Sequence, residues 1–375
     1  MRLFDDVASR VEDPYLARAV ALAERGRGAT APNPLVGCVV VRDGRIVGEG
    51  FHPRAGQAHA EAFALADAGA DAAGAEVYVT LEPCAHHGRT PPCADALIRA
   101  GVRRVTIGMH DPYHEAAGGS GRLIEAGIDI TWAEDPEPFF ELNAGWLKRL
   151  ATGVPLVVAK TALSLDGHGA FNHGRRASIT GTSGGIVTSR LRRRADAVLV
   201  GAATVIADDP ALTVRLSDGT MAENQPLRVV LVGQHIPGVD SRIFTDGAAP
   251  TLVLAGDRAP EELLESLRAV ADVQRFSAAE GLSGALRALG DRGISEVLVE
   301  PGPRLLSALW EQKLIDALVT VVAGGMAGAD SPAPYAGSRD NKGSVLTHLM
   351  APTEAGIVGD VAVTVWCPAQ GPTDQ

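Results

Sequence analysis

Three side chains suited to zinc fall within one short part of the chain. His59 sits in His59-Ala60-Glu61, and Cys84 and Cys93 bound the stretch Pro83-Cys84-Ala-His-His-Gly-Arg-Thr-Pro-Pro-Cys93. One imidazole and two thiolates are the set that a tetrahedral Zn²⁺ takes when its fourth position is left to water. Such a water has its pKa drawn towards neutrality, but hydrolytic removal of an amine also moves protons to the ring and to the departing nitrogen. That traffic requires an acid/base beside the metal that is not itself a ligand. Glu61, two residues from His59, suits the role.

The local pattern says how these residues are positioned. Cys84 follows the apolar run Val77, Val79, Leu81, so it belongs where a strand ends. Cys93 opens a helical stretch, Ala94 to Ala100, and His59 with Glu61 opens another, Ala60 to Ala68. Three element ends thus converge on one ion. His-x-Glu followed by Pro-Cys and a second Cys is the zinc nucleobase-deaminase signature. A structural zinc knot closed by His86 or His87 is the competing reading, and it leaves Glu61 idle.

The chain has 375 residues, of which 46% are hydrophobic and 21% charged, enough for two globular domains. The pattern changes near Pro136 to Pro155, which places the domains at 1–150 and 151–375. A formal net charge of −11 and an aromatic content of 4% disfavour nucleic-acid binding. Beyond the two candidate ligands there are only Cys38 and Cys367, which gives no disulfide framework and points to a reducing cytoplasm. No apolar run is long enough to span a bilayer, and Met1 to Asp6 lacks a signal-peptide core.

In the first half, strands Val36 to Val41 and Ile46 to Gly50 flank the turn signal Asp43-Gly44. Strands Glu76 to Leu81, Val102 to Gly108 and Ile128 to Trp132 alternate with helices, and Gly118, Gly119 and Gly121 mark a loop. This order predicts an α/β/α sandwich. The second half again alternates strands and helices. Its strand Val297 to Glu300, followed by Pro301-Gly302-Pro303 and a helix, is a phosphate-compatible joint. Arg190, Arg192, Arg193 and Arg194 form a helix face, solvated for the most part.

The usual zinc-deaminase pattern ends in P-C-x-x-C, whereas eight residues separate Cys84 from Cys93 here. That long insert resembles the riboflavin-biosynthesis bifunctional deaminase/reductase family. The resemblance implies a cytidine-deaminase-like α/β/α domain followed by a dihydrofolate-reductase-like α/β domain. It further implies Zn²⁺ and NADPH as cofactors and a phosphoribosyl-pyrimidine as the small-molecule substrate, with no nucleic acid and no membrane as partner. A homo-oligomer is expected. Asn33 looks like the family's pyrimidine-binding residue, His52 like a substrate contact, and Arg89 like the cation for the ribose phosphate. A turn former, an ordinary histidine and a solvated loop charge are their plainer readings.

In the second half, Lys160…Ser164-Leu-Asp166-Gly167 and Thr204-Val-Ile-Ala-Asp208-Asp-Pro-Ala-Leu212-Thr-Val-Arg215 carry the resemblance. By position, Ala162, Thr204, Asp208 and Gly302 would line NADPH. Arg192, Leu212, Arg215 and Glu300 would touch the substrate, with Lys160 at its reacting end. Departures from the family text fall at Tyr113, Arg176, Ser178, Val232-Gly233 and Ala323 to Gly328. Two other readings stay open at this point: a deaminase whose reductase half has drifted or lost hydride transfer, and a nucleic-acid-editing deaminase.

Overall fold

Asp13 starts the first helix. Its carboxylate accepts the N–H groups of Tyr15 and Leu16 at 2.8 and 2.9 Å, and Pro14 fills the first helical position of α1 (Pro14–Ala23). In this computed structural model, residues 6–86, 91–113, 117–169, 179–216, 218–328, 331, 333–335 and 350–369 are described. The chain divides into two compact units between Thr152 and Gly153.

In the first unit, β1 (Gly37–Arg42) and β2 (Arg45–Phe51) pair antiparallel around Asp43–Gly44. Then come α2 (Ala60–Ala68), β3 (Glu76–Val79), α3 (Cys93–Ala100), β4 (Arg104–Ile107), α4 (Gly119–Glu125), β5 (Asp129–Trp132), α5 (Glu137–Leu142) and α6 (Ala144–Thr152). The sheet order is β2-β1-β3-β4-β5, with β3, β4 and β5 parallel. Strand alternation sorts the core into two layers. Cys38, Val40, Val77 and Val79 meet α2, α3 and α4 on one face, whereas Val39, Val41 and Tyr78 meet α1, α5 and α6 on the other. The result is the α/β/α sandwich expected from the sequence.

The expected loop at Gly118 to Gly121 is instead the start of α4. Its first turn is capped from outside: the Ser120 N–H and hydroxyl donate to Glu82 Oε1 at 3.1 and 2.6 Å. Gly119 is required because a Cβ there would lie 1.7 Å from the Pro83 carbonyl oxygen. A side chain 38 residues away thus overrides the poor helix propensity of this glycine-rich stretch.

The second unit contains β6 (Leu156–Leu163), α7 (Gly181–Arg194), β7 (Ala197–Gly201), α8 (Ala202–Asp208), β8 (Leu227–Val232), α9 (Arg242–Thr245) and β9 (Thr251–Gly256). It continues with α10 (Glu261–Arg268), β10 (Asp272–Phe276), α11 (Leu282–Asp291), β11 (Glu296–Val299), α12 (Pro303–Glu311), β12 (Ala317–Ala323), β13 (Met350–Val358) and β14 (Val361–Pro368). Strand order is β10-β9-β8-β7-β11-β6-β12-β14-β13, parallel up to β12 and closed by the antiparallel β14–β13 ribbon. Continuous apolar runs such as Ala197-Val-Leu-Val200 fit strands covered on both sides. Val198, Val200 and Val230 pack with α7, α8 and α10; Leu199, Val229 and Val297 pack with α11 and α12. Among the described residues no helix is long and apolar enough to cross a membrane.

Helix α2 lies close on β2 because Gly50 has no side chain: a Cβ there would sit 2.3 Å from the Ala60 carbonyl oxygen and 2.5 Å from the Ala64 nitrogen. Gly50→Ala is therefore expected to lower stability by about 1–3 kcal/mol through overpacking. A thermal or denaturant melt checks this, and an unshifted midpoint would remove the packing claim.

Candidate active site

His59 is the residue that precedes the first turn of α2, and Glu61 lies inside that turn. Cys93 is the first residue of α3, and Cys84 lies in the extended segment after β3. The Cys93 N–H donates to Cys84 Sγ at 3.3 Å, and the Ala94 N–H donates to the Cys84 carbonyl at 3.2 Å. The start of α3 thus points its bare donors at Cys84, an arrangement that favours a thiolate.

His59 Nδ1 lies 3.2 Å from Cys93 Sγ and 3.6 Å from Cys84 Sγ, and all three ligand atoms fall within 4.8 Å of one another. Ligands on a tetrahedral Zn²⁺ with Zn–N of about 2.1 Å and Zn–S of about 2.3 Å stand roughly 3.5–3.8 Å apart, so the donor set fits that ion. Among the described residues the cluster has these three members, the number that leaves a position for water. The Cys93 thiol and then the His59 imidazole hold Cys84 down to about 4, whereas the hydrogen bond to Cys84 and burial push Cys93 up.

Glu61 is 3% exposed, and its Oε2 has no hydrogen-bond partner among the described residues. Burial raises its pKa, the nearby imidazole works against this, and the Cys84 thiolate adds to it. A carboxyl in that state is suited to take and return protons.

A cavity of about 630 Å³ opens over this cluster, and Asn33, His52, Asp111 and Trp146 are among its walls. His52 Nδ1 donates to the Ala58 carbonyl at 3.0 Å, which leaves Nε2 to accept from Asn33 Nδ2 at 3.0 Å. Burial lowers the His52 pKa and keeps the ring neutral. The Asn33 amide is thereby held with its oxygen free of the His52 contact. Sequence reasoning placed Asn33 and His52 here but not Asp111, whose carboxyl is pushed up to about 6 by burial, with Glu82 and Cys84 adding to the effect. Arg89, Arg176, Ser178 and His87 lie outside the described residues.

In the second unit the structure gathers three of the expected residues from three elements. Arg192 on α7 forms a fork with Glu300, Nε to Oε1 at 2.6 Å and Nη2 to Oε2 at 2.9 Å, and gives Nη1 to the Thr213 carbonyl at 3.0 Å. Lys160 on β6 adjoins them: burial lowers its pKa, with Glu300 opposing and Arg192 assisting. Gly302 precedes α12, and a Cβ on it would stand 3.6 Å from Thr204 Oγ1, so these two neighbour each other. Ala162 lies farther along β6, opposite Val321, and Asp208 ends α8. Leu212 has φ of 51° with its side chain packed in the core, and the Arg215 guanidinium donates to the Gly219 carbonyl at 3.1 Å. The cluster sits at the carboxyl ends of parallel strands, where ligands bind in open α/β sheets.

The first unit's sandwich and its cluster define the class of zinc-dependent deaminases, here joined to a second α/β domain. Over residues 10–109 the chain matches the family described as the cytidine and deoxycytidylate deaminase zinc-binding region, and over 155–351 the RibD C-terminal domain. It is 43% identical to the riboflavin biosynthesis protein RibD of Escherichia coli over 330 residues, 85% of this chain and 89% of that protein. To the RibD of Mycobacterium tuberculosis it is 40% identical, over 83% and 84%. The solved structure of Acinetobacter baumannii RibD superposes with a TM-score of 0.83 at 36% identity, over 95% of this chain and 98% of that one. A Thermotoga maritima diaminohydroxyphosphoribosylaminopyrimidine deaminase/5-amino-6-(5-phosphoribosylamino)uracil reductase gives 0.81 at 30%, with the same coverage. The chain belongs to the RibD family of riboflavin biosynthesis. It is a bifunctional enzyme, a zinc-dependent deaminase joined to an NADPH-dependent reductase.

Cys93→Ser should lower bound zinc from about one ion per chain to a small fraction of that, because a hydroxyl replaces a thiolate ligand. Elemental analysis of the purified protein decides it, and undiminished zinc would show that another ligand set holds the ion.

Proposed function

We propose that the first domain hydrolyses the exocyclic 2-amine of 2,5-diamino-6-(5-phosphoribosylamino)pyrimidin-4(3H)-one and that the second reduces the ribosyl chain of the deaminated product to ribityl. The observation that carries the first step is the buried Glu61 carboxyl, its Oε2 without a partner among the described residues, beside a His/Cys/Cys cluster. His59, Cys84 and Cys93 hold Zn²⁺, which when bound supplies Lewis-acid activation of a water at neutral pH. Glu61 takes up the proton of the attacking water, returns it to the ring nitrogen and then serves the leaving amine. The carbon–nitrogen bond breaks, the water oxygen stays on the ring and ammonia departs. Asn33, set by His52, orients the pyrimidine, and Arg89 receives the phosphate.

In the reductase, NADPH supplies the hydride that adds to the ribosyl C1′. A proton goes to the ring oxygen, which opens the sugar and leaves NADP⁺. Ala162, Thr204, Asp208 and Gly302 line the dinucleotide; the bare start of α12 behind Gly302 suits its phosphates. Arg192, Arg215, Glu300 and the backbone of Leu212 hold the substrate, and Lys160 faces its reacting end. The enzyme is a homo-oligomer, cytoplasmic and without a nucleic-acid partner. The net charge of −11 and four unpaired cysteines support the last two points.

A coupled assay that follows ammonia and NADPH together tests the two halves. Glu61→Gln should keep its zinc and lose roughly 10²–10⁴-fold in ammonia release while still oxidising NADPH on supplied deaminated product. Arg192→Met should show the converse, a roughly tenfold or larger loss in NADPH oxidation with ammonia release intact. Ammonia release by Glu61→Gln at the parent rate would refute the proton-carrier role.

A further inference from the structure

We propose that Arg149, on α6, is a second cation beside Arg89 for the phosphate of the deaminase substrate, so that the segment after the zinc-binding region completes the deaminase site. This rests on the phosphoribosyl substrate proposed above. The zinc-binding region ends at 109 and the C-terminal domain begins at 155, which leaves α5 and α6 outside both. The fold nevertheless builds α6 into the cavity wall. Asn143 clips the joint between α5 and α6 to the turn that carries Asn33: its Oδ1 accepts the Leu35 N–H at 2.8 Å, and its Nδ2 donates to the Leu35 carbonyl at 3.0 Å. Asn143 is 3% exposed, so both bonds are sheltered from water. One helical face then presents Trp146, Arg149 and Leu150 to the cavity. Arg149 Nη2 donates to the Pro32 carbonyl at 2.6 Å, which fixes the guanidinium next to Asn33.

Charge makes the case sharper. The described walls include the carboxyls of Glu61, Glu82 and Asp111, and Arg149 is the one Lys or Arg among them. A phosphate dianion entering a space with that lining requires a permanent cation, and a guanidinium offers five donors in a planar fork. With the pyrimidine held at Asn33, the phosphoribosyl arm leaves along the wall that α6 supplies, where Arg149 stands beside the Pro32 turn.

The test compares kcat/KM for ammonia release from the phosphoribosyl substrate with that from its dephosphorylated counterpart, using the full-length zinc-loaded enzyme. Arg149→Met should reduce the ratio of the two roughly ten- to hundredfold, the span of a hydrogen bond between charged groups, with the loss lying in KM. Arg149→Lys should recover some of it. Inorganic phosphate should compete with the phosphorylated substrate for the parent enzyme and do so more weakly for Arg149→Met. If the variant loses equally on both substrates, Arg149 only buttresses the Pro32 turn and the proposal falls. An unchanged ratio overturns it too, and leaves the phosphate to Arg89 alone. A parent enzyme that releases no ammonia from either compound would instead sink the substrate assignment, a different failure visible without any variant.

Discussion

The deaminase unit is built around a buried carboxyl group, one oxygen of which the described fold leaves without a partner. Glu61 is nearly sealed from water, and its Oε2 has no partner among the described residues. Leaving a buried polar atom unpaired costs about 1–3 kcal/mol, more when it is charged. The surrounding sandwich offsets that cost. Gly50 lets α2 lie close on the sheet, and the alanines of α2 pack on Cys38 and Val40. A tightly seated helix fixes where His59 and Glu61 stand relative to the two thiols, and a reactive site tolerates little slack. The unsatisfied group is the expected signature of a site that supplies its missing partner only when loaded.

Around it, helix starts do the electrostatic work. α3 aims its first N–H at Cys84, and α2 begins with His59. The macrodipole of each favours negative charge at this end, which suits thiolates and a carboxylate more than it suits a cation. Glu82, just upstream of Pro83 and Cys84, has a separate role. It accepts from Ser120 and from the Asp111 N–H, so one carboxylate ties the ligand segment, the cavity wall and the start of α4 together.

Much of this was legible where the signal is local. His59, Glu61, Cys84 and Cys93 stand in patterns whose spacing alone sets an ion and a base, and the Asp43–Gly44 hairpin is a two-residue signal. What escaped is long-range. Glu82 lies inside the zinc stretch itself, yet its partners are 29 and 38 residues away, and the helix it caps looks like a loop by composition. The stretch before Pro155 has the punctuation of a linker, whereas Phe139, Leu142 and Trp146 belong to the core of the first unit. Trp146, Arg149 and Leu150 share a helical face, a spacing that was visible. The Arg149 bond to Pro32 crosses 117 residues, a separation no local pattern encodes. In the second unit, Lys160, Arg192 and Glu300 were nameable only through the family, and their meeting depends on β6, α7 and β11 being neighbours.

The two domains treat the same residue type in opposite ways, and this separates their chemistry. Glu61 is buried and Glu300 half-buried, each at the end of a regular element. Burial lifts Glu61, and the thiolate beside it lifts it further, so the group is suited to hold a proton. Burial would lift Glu300 as well, but the Arg192 fork and then Lys160 outweigh it and bring its pKa down. Glu300 is therefore a fixed anion that accepts hydrogen bonds and does not carry protons. In its neighbourhood the group whose proton is loosened is Lys160, which burial drives towards its neutral form. A carboxyl that titrates beside soft ligands serves a hydrolysis in which protons change hands repeatedly. A locked carboxylate beside a poised ammonium serves a reduction in which a hydride arrives from outside and one proton follows it.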